Sequence, residues 1–234
     1  MFRTINSPKQ TALFVIALTA GAGLAGQTLR AQNKPDSSKW ESEIKAFEAA
    51  DKTNPPPHGA VLFIGSSSIR QWKTLAEDFQ EYKVINRGFG GSQIIDSVAF
   101  ADRIAIPYKP RMILLYAGDN DIAAGKSPEE VLADFKAFTR KVRPSLSETK
   151  VAFISIKPSP SRWEFAEKIK AANRLIEDFC KQDERLIYID VFNPMLGADG
   201  KPRPELFVED RLHLNLKGYA LWTAIIRPRL KQVE

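Results

Sequence analysis

Four short stretches of the 234-residue chain hold residue types that together could perform acyl transfer. They are Gly65-Ser66-Ser67-Ser68, Asn86-Arg87-Gly88-Phe89-Gly90-Gly91-Ser92, Gly118-Asp119-Asn120-Asp121 and Asp210-Arg211-Leu212-His213. Acyl transfer needs a hydroxyl nucleophile, a base to take its proton and a carboxylate to orient the base. It also needs preorganised donors for the tetrahedral oxyanion. Serines, a glycine-rich backbone, an asparagine amide and an Asp/His pair supply one candidate for each role.

The chain has only two histidines, so the base is found by elimination. His58 precedes an apolar run and Ser67 follows it. Five extended residues at roughly 3.3 Å each set the two about 16 Å apart, at opposite ends of a strand. A base must approach to roughly 3 Å. His213 is the imidazole left, and Asp210, three residues earlier, is placed to bond its Nδ1 and fix the tautomer.

Positioning these groups requires a scaffold, and the sequence patterning predicts one. Five apolar runs, at Ala60–Ile64, Lys83–Asn86, Met112–Ala117, Val151–Ile156 and Leu186–Val191, read as strands buried on both faces. Helical stretches lie between them. One starts at Asp36 or Ser37 and ends before Pro55, with Trp40, Ile44 and Phe47 on one face. Another is capped by Ser92 and runs through Ile104. Ser127-Pro-Glu-Glu has the form of a capping box, from Ser127 to Glu130. Glu164–Lys181 and Leu216–Leu230 complete the set, and the first of these places Phe165, Ile169, Ala172, Leu175, Ile176 and Phe179 on a core face. Alternation of strand and helix predicts an α/β fold with a parallel sheet covered on both sides. Sites in such sheets gather beyond the carboxyl ends of the strands, which is where the first three stretches fall.

These four blocks, in this order, the first three at strand ends and the fourth ahead of the last helix, resemble those of the SGNH hydrolases, the GDSL-type esterase and lipase family. The resemblance runs from about residue 60 to 230. It implies a three-layer α/β/α sandwich, a flavodoxin-like five-stranded parallel sheet, and a serine esterase working through an acyl-enzyme. It places the nucleophile at Ser67 and the Asp-x-x-His pair at Asp210 and His213. Its oxyanion hole falls on the backbone N–H groups of Ser67 and Gly91 and the side-chain amide of Asn120. The family's Gly-Asp-Ser is Gly-Ser-Ser here. Ser66 in the aspartate's place is expected to brace the turn by a local hydrogen bond. Among Ser66, Ser67 and Ser68 the Gly-x-Ser register selects Ser67, with Ser68 opening the next helix.

Other readings of the motifs fare less well. A calcium loop at Asp119-Asn120-Asp121 would want an oxygen ligand at 123 and glycine at 124, where the chain has Ala123 and Ala124. A dinucleotide loop at Gly88-Phe89-Gly90 finds Gln93 at its third glycine. Neither cofactor nor metal is expected. Arg70, Arg162 and Trp163, on the same rim, are candidate substrate contacts, and Trp72 reads as core. Asp96, Asp102 and Asp190 read as helix and loop polar groups. His58 reads as a turn residue, and Cys180 as a buried structural thiol.

Residues 1–31 read as a signal peptide, with an uncleaved anchor as the alternative. Arg3 and Lys9 precede an uncharged run from Thr11 to Leu24, shorter than the roughly 20 residues of a membrane span. Residues 32–234 then form a single domain, secreted or periplasmic. The net charge of +6 falls to +3 without residues 1–31, which carry Arg3, Lys9 and Arg30 and no acid. No basic run persists that would track phosphates, so nucleic acid is not an expected partner. Export points to a small ester or an acylated glycan, with an acetyl ester of a carbohydrate first. A lysophospholipase-like lipid esterase is the alternative within the class. A non-catalytic glycan-binding module and an envelope acyltransferase are the alternatives outside it.

Overall fold

Side chains along an extended strand point alternately to opposite faces, and both faces of every central strand here are apolar. In the computed structural model, which describes residues 36–231 together with Met1 and Phe2, these runs pair into one parallel sheet. Its strands are β1 (Val61–Gly65), β2 (Val84–Gly88), β3 (Met112–Tyr116), β4 (Lys150–Ile154) and β5 (Leu186–Ile189), in spatial order β2-β1-β3-β4-β5. Leu62, Ile64, Ile113, Leu115, Val151 and Phe153 face one core. Val61, Phe63, Met112, Leu114, Ala152 and Ile154 face the other. Residues such as Phe63, Leu114 and Phe153 are wholly buried, and each burial of that kind is worth roughly 1.5–3 kcal/mol.

The first core is covered by α1 (Glu41–Thr53), α4 (Ile94–Ile104), α6 (Pro128–Val142) and α7 (Ala166–Cys180). The second lies under α2 (Ser67–Arg70), α3 (Leu75–Asp78) and α8 (Leu216–Leu230), where Trp72 sits among Phe63, Phe79, Tyr219 and Trp222. Between α4 and α6 lies α5 (Asp119–Ala123), directly after β3. This is the expected three-layer arrangement. Residues Pro35–Glu234 form a compact unit of their own. The leader expected over residues 1–31 falls, apart from Met1 and Phe2, outside the described residues. Among the described residues no helix is long and apolar enough to cross a membrane.

The strands shift by one or two residues at their ends from the sequence expectation, and three boundaries stand out. The helix expected to be capped by Ser92 starts one residue later: Gln93 and Asp96 form its capping box, and the Ser92 carbonyl is used by the Asn120 amide instead. At β4, Ser155 and Ile156 leave the strand, because the Ser155 hydroxyl takes the N–H groups of Val191 and Phe192 while the Asn173 side chain bonds both polar groups of Ile156. The helix expected from Glu164 starts at Ala166, after a 3-10 stretch over Pro160–Phe165. Cys180 is buried, and burial pushes its thiol up to about 12. His58 is exposed in the turn before β1.

Candidate active site

The chain switches direction across the sheet between β1 and β3, since β2 lies to one side of β1 and all later strands to the other. Loops leaving adjacent carboxyl ends diverge there and leave a crevice. Ser67 follows β1 and Asn120 follows β3, so both stand at its edge.

Backbone geometry sets the serine. Gly65 has φ +137°, and a methyl group on it would lie 1.9 Å from the Tyr116 carbonyl oxygen, so only glycine turns the chain this closely against β3. The Ser66 N–H then donates to that same carbonyl at 2.9 Å, and the Ser66 carbonyl accepts from Ile69 and Arg70. The Ser66 hydroxyl, contrary to expectation, is buried with no partner among the described residues. The turn is braced by main chain rather than by that side chain. Ser67 emerges half-buried, while Ser68 points into the protein, its carbonyl accepting from the Tyr219 hydroxyl at 2.9 Å.

The histidine turn is held from several sides. Val208 N–H donates to the His213 carbonyl and Arg211 N–H to the Val208 carbonyl, both at 2.9 Å, with Arg211 left-handed at φ +59°. Asn215 caps α8 through its Oδ1 and donates from its amide to the carbonyls of Glu205 and Phe207. Within this frame Asp210 Oδ1 accepts from the N–H groups of Leu212 and His213, and Asp210 Oδ2 lies 2.5 Å from His213 Nδ1. Desolvation pulls the Asp210 carboxyl upward, but the His213 ring and the two backbone donors outweigh it and hold it at about 2. His213 Nε2 lies 2.9 Å from Ser67 Oγ, across 146 positions of sequence.

The N–H groups of Ser67, at the first turn of α2, and of Gly91 have no acceptor among the described residues. A methyl group on the exposed Gly91 would lie 3.7 Å from Asn120 Nδ2, so loop and amide are adjacent. The glycine loop itself is pinned by α1. Glu43 accepts the Gly90 N–H at 3.2 Å, and the Trp40 ring lies against Gly90 so closely that a methyl group there would overlap it at 1.8 Å. Asp121 accepts the Ile94 N–H at the start of α4.

The candidate substrate contacts divide. Arg162 Nη1 donates to Asn120 Oδ1 at 3.0 Å and lies 3.4 Å from Asp119 Oδ2. Arg70 pairs with Glu43 at 3.5 Å, on the wall of a cleft of about 480 Å³ also lined by Phe47, Trp72 and Asn86, which includes neither Ser67 nor His213. Trp163 packs at the edge of the first core, with Lys170 Nζ 5.8 Å from its ring centroid. Asp96 closes the α4 capping box, Asp102 pairs with Lys141, and Asp190 holds the Phe192 and Asn193 turn. Sequence reasoning missed Lys157 and Asp119. Their charges meet at 2.8 Å in full burial, with Tyr116 OH 3.0 Å from Lys157 Nζ. Among the described residues no three His, Cys, Asp or Glu side chains converge as a metal site would require.

Residues 59–221 match the model of the GDSL-like Lipase/Acylhydrolase family. Among solved structures, a GDSL-like lipase from Bacteroides thetaiotaomicron aligns at TM-score 0.72 with 20% identity, over 82% of this chain and 99% of that one. A carbohydrate esterase family 3 protein from Talaromyces cellulolyticus aligns at 0.60 with 20% identity, over 74% and 96%. A mutant acetyl-xylooligosaccharide esterase from Geobacillus aligns at 0.59 with 14% identity, over 76% and 95%. Identities this low establish the shared fold. No curated protein matches the chain.

Proposed function

Given that the chain belongs to the GDSL-like lipase/acylhydrolase family and is a carboxylic ester hydrolase, we propose that it cleaves short acyl esters through Ser67, His213 and Asp210. The observation that carries this is the unbroken relay from Asp210 Oδ2 through His213 to Ser67 Oγ, with contacts of 2.5 and 2.9 Å. His213 Nδ1 carries its proton toward Asp210, which leaves Nε2 as the acceptor for the Ser67 hydroxyl.

In this reading Ser67 Oγ attacks the ester carbonyl as its proton passes to His213 Nε2. The carbonyl oxygen becomes an oxyanion within reach of the Ser67 and Gly91 N–H groups and the free N–H of Asn120. The tetrahedral centre collapses, the C–O bond to the alcohol breaks, and His213 returns the proton to the departing alkoxide. Water then enters, gives its proton to His213 and attacks the acyl carbonyl. Carboxylic acid leaves and Ser67 regains its hydrogen. The Asp210 carboxylate stabilises the imidazolium in both halves.

The preferred substrate is an acetyl ester of a carbohydrate. Ser67 and His213 are half-buried and Gly91 and Arg211 exposed, a setting that suits a small acyl group on a bulky hydrophilic alcohol. A short-acyl lipid is the second reading. It draws on Val208 and Leu216, exposed apolar side chains that bracket His213 in sequence. Export completes the proposal, with residues 1–31 as the leader. N-terminal sequencing of the secreted protein checks that part.

Ser67→Ala is expected to abolish turnover of a short p-nitrophenyl ester while leaving the circular dichroism spectrum unchanged. Turnover surviving in that variant overturns the assignment. Parallel assays on acetylated glycans and short-acyl lipids decide the alcohol.

A further inference from the structure

Arg162 reads in the sequence as a substrate contact, yet its guanidinium is turned inward onto Asn120. A primary amide has nearly the same shape after a 180° flip, so its partners decide which atom faces the reacting centre. Asn120 Oδ1 accepts from Arg162 Nη1 at 3.0 Å, and Asn120 Nδ2 donates to the Ser92 carbonyl at 3.0 Å. Flipping the amide would set NH₂ against guanidinium and oxygen against carbonyl oxygen, two repulsive contacts in place of two bonds. The observed orientation leaves one Nδ2 hydrogen for an oxyanion.

Arg162 is anchored in turn. Asp119 Oδ2 lies 3.4 Å from Arg162 Nη1 and 2.8 Å from Lys157 Nζ, with the Asp119 and Lys157 side chains only 6% and 1% exposed. One carboxylate between two cations leaves a net positive charge directly behind the amide, in a site where little water screens it. The neighbouring Ser161 donates from both its N–H and its hydroxyl to the Arg211 carbonyl at 3.2 and 3.1 Å, so the same loop also braces the histidine turn.

We infer that Arg162 is a positioning residue that orients and polarises the Asn120 amide toward the oxyanion, with the Asp119–Lys157 pair as its anchor. This rests on the reading of Asn120 as an oxyanion donor. Removing one such donor costs about 10²–10³ in kcat, and an outer partner of a metal ligand costs roughly 10–100-fold.

The test is a double-mutant cycle on a short p-nitrophenyl ester, using Arg162→Met, Asn120→Ala and the double variant. Arg162→Met is expected to lower kcat roughly tenfold with KM little changed, and added guanidinium ion or Arg162→Lys to recover part of the loss. In the Asn120→Ala background the Arg162 substitution is expected to cost nothing further. Additive losses, or a KM increase at constant kcat, overturn the inference and make Arg162 a direct substrate contact. If Arg162→Met fails to fold, Arg162→Lys carries the same cycle. Ser67→Ala, run in parallel, separates the two claims. Turnover surviving it defeats the catalytic reading, whereas additivity with Ser67→Ala inactive defeats this inference alone.

Discussion

Burial pulls the Lys157 pKa down, but the Asp119 carboxylate and the Tyr116 hydroxyl outweigh the desolvation and raise it above the ordinary lysine value. Asp119 experiences the converse: burial raises it, and Lys157 and Arg162 bring it below the ordinary carboxylate value. Each charge is tolerated only because the other is present. Lys157→Met therefore leaves a buried carboxylate facing Arg162 alone, and removing one partner of a buried pair costs about 3–5 kcal/mol. Urea unfolding is expected to show that loss, and Lys157→Met/Asp119→Leu to be more stable than Lys157→Met. A double variant no better than the single would refute the account. This network was invisible in the sequence for a physical reason. Lys157 and Asp119 are 38 positions apart, and an ion pair closed by tertiary packing leaves no local period or spacing to detect. Asp210 and His213, three residues apart within one turn, do leave such a mark. The Ser67–His213 contact was legible because parallel-sheet topology and the count of two histidines left one imidazole, and the family resemblance selected Ser67 among three neighbouring serines.

At the level of elements, the strands and long helices were readable because each is a single pattern: unbroken apolar runs for strands, a 3.6-residue stripe for helices. What failed was punctuation supplied by distant side chains. Ser92 has the right chemistry for a cap, but its carbonyl is taken by Asn120 from 28 residues away, and Gln93 takes the role. Where the capping partners are local, as in α6, sequence and structure agree. Ser127 Oγ accepts the Glu130 N–H at 3.2 Å, and Glu130 accepts the Ser127 N–H at 2.8 Å. Ser127→Ala is expected to cost about 1 kcal/mol, read as a lower urea midpoint with the dependence on urea unchanged, and to leave esterase turnover at the wild-type level. A neutral substitution would show that α6 is held by its packing against α4 and α7 and not by its cap. The helix α1 adds a second lesson. It precedes the residues that match the family, 59–221, yet Trp40 and Glu43 fix the glycine loop beside Gly91. The apolar face Trp40, Ile44, Phe47 reads simply as core, and nothing in its spacing announces the contact with Gly90.

Across the whole molecule, Ser67 follows the first strand and His213 lies in the turn before the last helix, so their contact exists only when the sheet is complete. Acid tests this dependence. The Asp210 carboxyl, held at about 2 in the folded chain, lies below its unfolded value near 3.9, and the buried Asp119 is also lowered. An acid depressed on folding binds fewer protons in the native state, so its contribution is complete above the unfolded pKa and is lost as pH falls through the folded one. Stability is therefore expected to fall between about pH 4 and pH 2, with Asp210 contributing less than Asp119, because its side chain is 47% exposed and screened by solvent. Asp210→Asn should flatten part of that slope in urea unfolding followed over this range, and at neutral pH it should lose turnover through the His213 tautomer. An unfolding slope identical to wild type, together with lost turnover, would mean that Asp210 orients the imidazole without being held ionised by the fold, and would move the acid sensitivity entirely onto the buried charges around Asn120.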